Sequence, residues 1–273
     1  MSGIDAAFIK NFESEVHVAY QMMGSKLRGT VRTKDGVAAK STTFQKVGKG
    51  VAGEKQRHGK VPTMNVHHEP VECLLHDYYA GDWVDRLDEL KTNINEQKVV
   101  ARAGAFALGR KTDAMIFAAA MTTSNSIGSS AAAIGLDRCT DLLVAMGNAD
   151  VPDDGGRYVW VSWRVWADLL EISQFANLDY VGSDGLVWKG SGAQGKNWLG
   201  AIWMPHSGID RTGGVATCIA YHRSAIGHAI GADVQTDVTW HGDRAAHFVN
   251  NMMSQGVCII DETGVFKLPC LES

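Results

Sequence analysis

The sequence predicts an α+β fold, and three observations support this prediction. The apolar residues of one long internal segment recur at helical spacing. After Pro152, short strand-like and helix-like runs alternate, and the C-terminal part is rich in strand-like runs. With 273 residues, 45% of them hydrophobic, the chain has enough apolar residues to build a core. No internal repeat is visible at any solenoid period.

An amphipathic helix is predicted at residues 4–27, where the apolar residues fall on one helical face. The next window, 28–66, has only eight large apolar side chains and cannot form a core. It contains nine Lys and Arg against two Asp and Glu, a net charge of +7, so the remainder of a chain with net charge -4 carries -11. We call residues 28–66 the basic window.

A long, irregular β-hairpin is predicted in the basic window, because glycines separate strand-like runs at 30–33, 42–47 and 61–66. Arms of roughly 15 residues would reach about 50 Å. Disorder is the alternative, since high charge and low hydrophobicity are its usual signature. A two-stranded ribbon alone is only marginally stable in water, so an ordered hairpin would need another subunit to lie on.

The segment that follows reverses the charge: residues 69–91, here the acidic segment, hold seven acidic residues against two basic ones, a net charge of -5. Asn93 or Asn95 is then predicted to cap a helix of about 40 Å that runs to about Met121. After a small-residue linker, a second helix is expected at 136–146.

Beyond Pro152 we predict a strand at 157–161, a helix at 163–172, and strands at 197–204 and 215–221. The tail strands, 229–239, 248–260 and 265–268, are expected to return beside the long helix. Six tryptophans are assigned to the core of this lobe rather than to a binding groove, because they accompany Val and Leu: Trp160, Trp163, Trp166, Trp188, Trp198 and Trp203.

Two patterns resemble ligand sites but lack the required context. Residues 48–53 match G-x-G-x-x-G, yet neither an apolar strand before them nor a helix after them is predicted, so a loop is favoured over a nucleotide site. The densest group of potential metal ligands lacks the H-E-x-x-H motif, and an extended chain would separate its members: His67, His68, Glu69, Glu72, Cys73 and His76. We expect no metal and no cofactor.

Other classes of function find little support in the sequence. There is no G-x-S-x-G nucleophile motif, although Ser, His and Asp can also meet from distant positions. Five widely spaced cysteines without a C-x-x-C pair predict reduced core residues made in a cytoplasm. No run of about 18 apolar residues is present, so we expect no membrane partner. The basic window lacks interleaved aromatics, which favours protein contact over DNA.

Six sequence segments follow one another along the chain: GSKLRG at 24–29, TTFQKVGKG at 42–50, residues 62–66, DYYAGDWVDRLD at 77–88, ALGRKTD at 107–113 and AYHRSAIGH at 220–228. In order and spacing they resemble the major capsid proteins of tailed bacteriophages with the Hong Kong 97 type (HK97-like) shell fold. The resemblance implies an N-terminal arm at 1–27, an extended β-hairpin loop at 28–66, a peripheral domain with a long spine helix at 67–134 and 231–273, and an axial domain at 135–230.

The same resemblance implies a structural protein without catalytic residues. It would self-assemble as hexamers and pentamers into an icosahedral head around double-stranded DNA, with the virion as its location after assembly in the host cytoplasm. A portal protein, a scaffolding protein and, optionally, a decoration protein are the implied partners. Because only a short arm precedes the loop, the scaffolding protein is expected to be a separate chain.

The two oppositely charged segments are the candidates for contact between subunits. We expect the basic window of one copy to lie across the acidic segment of its neighbour, with Arg32, Lys46, Lys49 and Arg57 facing Asp82, Asp85 and Asp88. Exposed pairs contribute only about 0–1 kcal/mol each, yet repetition makes the register selective.

Two alternatives remain open at this point. The first is an encapsulin-type shell that encloses an enzyme, which neighbouring genes for a cargo enzyme, instead of terminase and portal, would reveal. The second is a cytoplasmic enzyme built on the Trp-rich lobe, with the basic window as a lid. A stable monomer or dimer in size-exclusion chromatography would favour that enzyme.

Overall fold

The computed structural model describes residues 24–91, 95–128, 132–177 and 195–272. The predicted N-terminal helix therefore lies almost entirely outside the described residues. The helices are α1 Arg86–Lys91, α2 Glu96–Ala120, α3 Leu136–Asn148, α4 Trp163–Glu171 and α5 Ser173–Ala176. The strands are β1 Arg32–Lys34, β2 Ser41–Val47, β3 His68–Leu74, β4 His76–Asp85, β5 Arg157–Val161, β6 Lys196–Trp198, β7 Ala201–Pro205, β8 Arg211–Thr212, β9 Val215–His222, β10 Ile226–His241, β11 Ala246–Ile259 and β12 Val265–Leu271. No described helix is long and apolar enough to cross a membrane.

The helices begin where the sequence supplies a cap. The Oδ1 atom of Asn95 accepts a hydrogen bond of 3.0 Å from the Lys98 amide, which confirms Asn95 as the cap of α2. Ser162 caps α4 in the same way, accepting from the Val165 amide at 3.2 Å. The predicted second helix is also confirmed, with α3 extending two residues beyond its expected end.

A six-stranded sheet forms one centre of the fold, in the order β12-β9-β5-β7-β6 with β8 paired to β9. Strands β5 and β7 are parallel, and the other pairings in this sheet are antiparallel. Three of the predicted core tryptophans are buried: Trp160, Trp166 and Trp203. Trp198 packs against the core as a partly buried residue, and Trp188 lies outside the described residues.

Two predictions for this lobe were wrong. Trp163 is 44% exposed, because it opens α4 while Val165, Trp166 and Leu169 occupy the buried face of that helix. The single strand expected at 197–204 is two strands joined by a tight turn. Leu199 and Gly200 both have positive φ, 50° and 69°, as the two central residues of a type I′ hairpin turn require.

A four-stranded sheet follows the order β1-β10-β11-β4. Strand β1 runs parallel to β10, with Arg32 opposite Gly227 and Lys34 opposite Ala229. The first strand-like run of the basic window therefore pairs with the C-terminal part of the chain, not within the hairpin as predicted. Strand β12 pairs along its whole length with β9, so the last tail strand belongs to the six-stranded sheet.

The chain separates into two compact units. Of the described residues, the first unit takes those within 24–25, 77–111 and 232–254, and the second takes those within 26–76, 112–231 and 255–272. Helix α2 and strands β10 and β11 contribute residues to both units. The four-part division inferred from the resemblance stays a prediction.

One buried carboxylate ties three segments of the second unit together. Asp113, which is 1% exposed on α2, accepts hydrogen bonds of 3.1 Å each from the amides of Lys26 and Leu27. The ring of His206, directly after β7, lies 3.1 Å away through Nε2. Because Nδ1 of His206 accepts from the Gly208 amide, Nε2 carries the proton and donates it to Asp113.

Candidate assembly surfaces

An antiparallel hairpin forms, but only one of its strands, β2, lies in the basic window, and its partner β3 belongs to the acidic segment instead of residues 61–66 as predicted. Strands β2 and β3 pair from Ser41 opposite Leu74 to Val47 opposite His68. Phe44, which is 2% exposed, anchors β2 in a small core with Cys73 and Ala229. The hairpin therefore has a buried base within the chain.

Beyond this base, residues 48–67 run without a strand ladder, so the strand predicted at 61–66 was wrong. We call residues 48–67 the projecting loop. Its two legs stay close together. The Gly48 amide donates to the His67 carbonyl at 2.8 Å, and a turn that includes His58, with a φ of 66°, joins the legs. The loop contains four glycines and one proline, and neither residue type strengthens a strand ladder.

The projecting loop exposes apolar side chains that would be expected in a core. Val51 is 82% exposed, Val61 73% and Met64 58%. Burying one such side chain is worth roughly 1.5–3 kcal/mol, so these three residues are candidates for burial against another chain. Residues 48–53, which match G-x-G-x-x-G, lie in this loop, and no helix follows them before β3.

The predicted contact residues of the basic window occupy three different settings. The guanidinium of Arg32 lies over the Phe44 ring, 5.7 Å from its centroid. Lys46 forms an ion pair of 3.0 Å with Asp261, and Lys49 is paired with Asp150, both within the chain. Arg57 is exposed in the projecting loop.

In both ion pairs the pKa of the carboxylate is lowered. The hydrogen bond from Lys49 lowers the pKa of Asp150. Burial would raise the pKa of Asp261, but hydrogen bonds from Thr263 and Lys46 outweigh it and the pKa is lowered. Two of the four predicted cations are thus engaged with the chain's own carboxylates, which only the folded chain reveals.

The acidic segment contributes β3, β4 and α1, and its predicted contact residues lie at the end of β4 and in α1. Asp82 and Asp85 are exposed, and each accepts a hydrogen bond from a nearby backbone amide, at 2.8 Å from Trp83 and 2.7 Å from Leu87. The bond to Leu87 makes Asp85 the N-cap of α1. Asp88 is exposed on α1.

An exposed aromatic patch accompanies these carboxylates, and sequence reasoning missed it. Trp83 is 37% exposed and Trp240 42%. Arg244 lies 4.4 Å from the centroid of the Trp83 ring, and Arg86 lies 5.9 Å from that of Trp240. Because successive side chains of a strand point to opposite faces, Trp240, which packs with His247, lies on the other face from His241, whose ring is 5.0 Å from that of Trp83. We call Trp83, His241 and Arg244 the tryptophan patch. Exposed Trp with Arg is the composition typical of interface hot spots, and Trp83 between Asp82 and Asp85 was the available signal.

The metal-ligand group of the sequence is not assembled. Glu72 lies on β3 and His76 begins β4, so they do not share a helical face. The described part of the chain contains no group of three or more His, Cys, Asp and Glu side chains arranged to hold a metal. Four of the five free cysteines are buried and Cys258 is partly buried, in agreement with reduced core residues.

Comparisons with known proteins show which family model and which solved structures this chain matches. Residues 4–272 match the family model described as phage capsid protein. No curated protein matches the chain significantly. A solved structure from Mycobacterium phage Che8 is similar, with a TM-score of 0.74 and 18% identity over 96% of this chain and 97% of the other.

Two further solved structures have the same fold. The capsid of the cyanophage P-SCSP1u gives a TM-score of 0.71 at 18% identity, covering 98% of this chain and 94% of the other. The capsid of a native GTA particle gives 0.71 at 10% identity, covering 98% and 97%. The predicted HK97-like α+β fold class is confirmed.

Proposed function

Because the chain belongs to the phage capsid protein family, a structural family whose members form shells, we propose that it assembles as hexamers and pentamers into an icosahedral head that encloses double-stranded DNA. The family match over residues 4–272 carries this proposal. A portal protein, a scaffolding protein and optionally a decoration protein would complete the head, and assembly would take place in the host cytoplasm.

The contact that drives assembly, in this proposal, joins the projecting loop of one copy to the tryptophan patch of another. The loop offers exposed Val51, Val61 and Met64, which match the exposed Trp83 ring of the patch. The charges also match, since Arg57 lies in the loop while Asp82 and Asp85 flank Trp83. Apolar burial supplies most of the affinity, and the charges select the register.

Charge reversal tests the proposed contact. Arg57→Glu together with Lys49→Glu should lower particle yield by about tenfold, because like charges across an interface cost several kcal/mol over a few pairs. Particles are counted by negative-stain microscopy and sedimentation velocity. Since Lys49 also pairs with Asp150, the control is Asp150→Asn, which removes that internal pair while the loop keeps its charge.

Rescue completes the experiment. Adding Asp82→Lys and Asp85→Lys to the reversed loop should restore particles. Unchanged particle yield in the reversed loop would contradict the proposed charge pairing. A wild-type chain that stays a monomer or dimer in its host would contradict shell formation itself.

A further inference from the structure

An open groove of about 480 Å³ lies in the second unit, and of the contact residues described above it includes Arg32. Its lining includes Arg32 and Thr33 of β1, Asp154, and the run His222, Arg223 and Ser224 between β9 and β10. Arg32 and Arg223 are distant in sequence, and only the folded chain brings them to one groove. Among the described residues, neither guanidinium forms an ion pair.

Among the described lining residues, the only carboxylate is already engaged. Asp154 accepts hydrogen bonds of 2.9 Å through Oδ1 from Nε2 of His222 and from the Gly156 amide. The bond from His222 is the main reason that the pKa of Asp154 is lowered. The described lining thus carries two arginines and one carboxylate, so its formal charge is positive.

Hydrogen bonds hold the backbone segments that carry the two arginines. The Arg223 amide donates to the Gly156 carbonyl at 2.8 Å. Nδ1 of His222 accepts from the Ser224 hydroxyl at 2.7 Å and from its amide at 3.3 Å. This Ser224–His222–Asp154 chain of hydrogen bonds fixes the turn that presents Arg223. Arg32 is held by β1 pairing with β10 and by the Phe44 ring.

We infer that the groove is an oxyanion-binding site that receives a carboxylate side chain from a second copy of this chain. Guanidinium groups bind carboxylates through paired N–H donors, and supports that are already ordered lower the entropic cost of binding. The inference rests on the proposed function, which sets many copies side by side. Outside the basic window the chain carries a charge of -11, so every neighbouring copy offers exposed carboxylates.

The first experiment compares particle yields of the full-length chain in a bacterial host. Arg32→Glu with Arg223→Glu should lower the yield by about tenfold or more, because the incoming carboxylate would meet like charge. Lys34→Glu is the control, two residues along β1 and outside the described groove lining, and it makes the same charge change as each single reversal. It should retain the wild-type yield. Arg223→Glu alone, which leaves the Arg32–Phe44 contact intact, separates assembly from folding if the double variant unfolds.

The second experiment identifies the carboxylate. Arg223→Lys places an amine in the groove, and a water-soluble carbodiimide joins an amine to a touching carboxylate as an amide while the reagent takes up the water as a urea. In particles assembled from mixed ¹⁴N and ¹⁵N chains, mass spectrometry should find a mixed-isotope link between position 223 and an Asp or Glu of another copy.

Three outcomes would overturn the inference. One is an unchanged yield for Arg223→Glu and for the double variant in a host where the wild type forms particles, which leaves the proposed function standing. Another is a link at position 223 found only within one chain. The third is saturable binding of inorganic phosphate, lost in Arg223→Glu chains that still assemble. Absence of wild-type particles would overturn the proposed function together with the groove.

Discussion

The six-stranded lobe and the projecting loop belong to the same unit but differ in the exposure of their apolar side chains, which are buried in the lobe and exposed in the loop. In the lobe, Trp160 and Trp203 are each 1% exposed, and the Trp160 indole donates to the Tyr221 hydroxyl at 2.9 Å. In the loop, Val51 and Val61 are almost wholly in solvent. The lobe completes its packing within one chain, whereas the loop leaves its apolar side chains exposed in that chain. Stability and assembly should therefore respond to different substitutions.

The largest expected effect on stability comes from Asp113, the buried carboxylate of α2. Asp113→Ala would leave the amides of Lys26 and Leu27 and the ring of His206 without their acceptor, so the free energy of unfolding should fall by about 3–5 kcal/mol. Denaturant titration measures it. Asp137→Ala, an exposed carboxylate of α3, is the control and should change stability by less than about 1 kcal/mol. Equal effects of the two substitutions would refute the role of Asp113.

A smaller effect is expected at the base of the hairpin, where Lys46 meets Asp261. Because the pKa of Asp261 is lowered in the folded chain, its contribution to stability is present above the ordinary value of 3.8 and is lost as the pH falls through the folded value. Asp261 is 39% exposed, so the contribution should stay below about 1 kcal/mol. Asp261→Asn should flatten the stability profile below pH 3.8, measured by thermal unfolding. A profile identical to that of the wild type would exclude this pair as a source of acid sensitivity.

The smallest effect on stability should come from the projecting loop. Val51→Asp with Val61→Asp should change the free energy of unfolding by no more than about 0.5 kcal/mol, because both side chains are exposed in the single chain. The same pair should abolish particles in sedimentation velocity. Val51→Thr with Val61→Thr, which keeps the side-chain shape, is the matched control and should retain partial assembly. A large loss of stability without a loss of assembly would reverse the comparison between lobe and loop.

The sequence by itself determined the elements whose signals are local. Asn95 caps α2 as one of the two predicted candidates, and the apolar spacing placed the long helix and α3 within a few residues. The charge division of the chain and the inability of the basic window to form a core also follow from composition alone. The order of the six sequence segments along the chain was enough to indicate the fold class.

Only the tertiary structure decided which strands pair and which charges meet. Strand β1 was assigned to the hairpin because its neighbours in sequence are strand-like, but its partner is β10, and strand pairing over such separations leaves no local mark. Trp163 and Trp166 have similar surroundings in sequence, and the face of α4 turned to the sheet decided that one is exposed and the other buried. For the same reason the groove of Arg32 and Arg223 could not be read from the sequence: its charge depends on which carboxylates the fold has already engaged elsewhere.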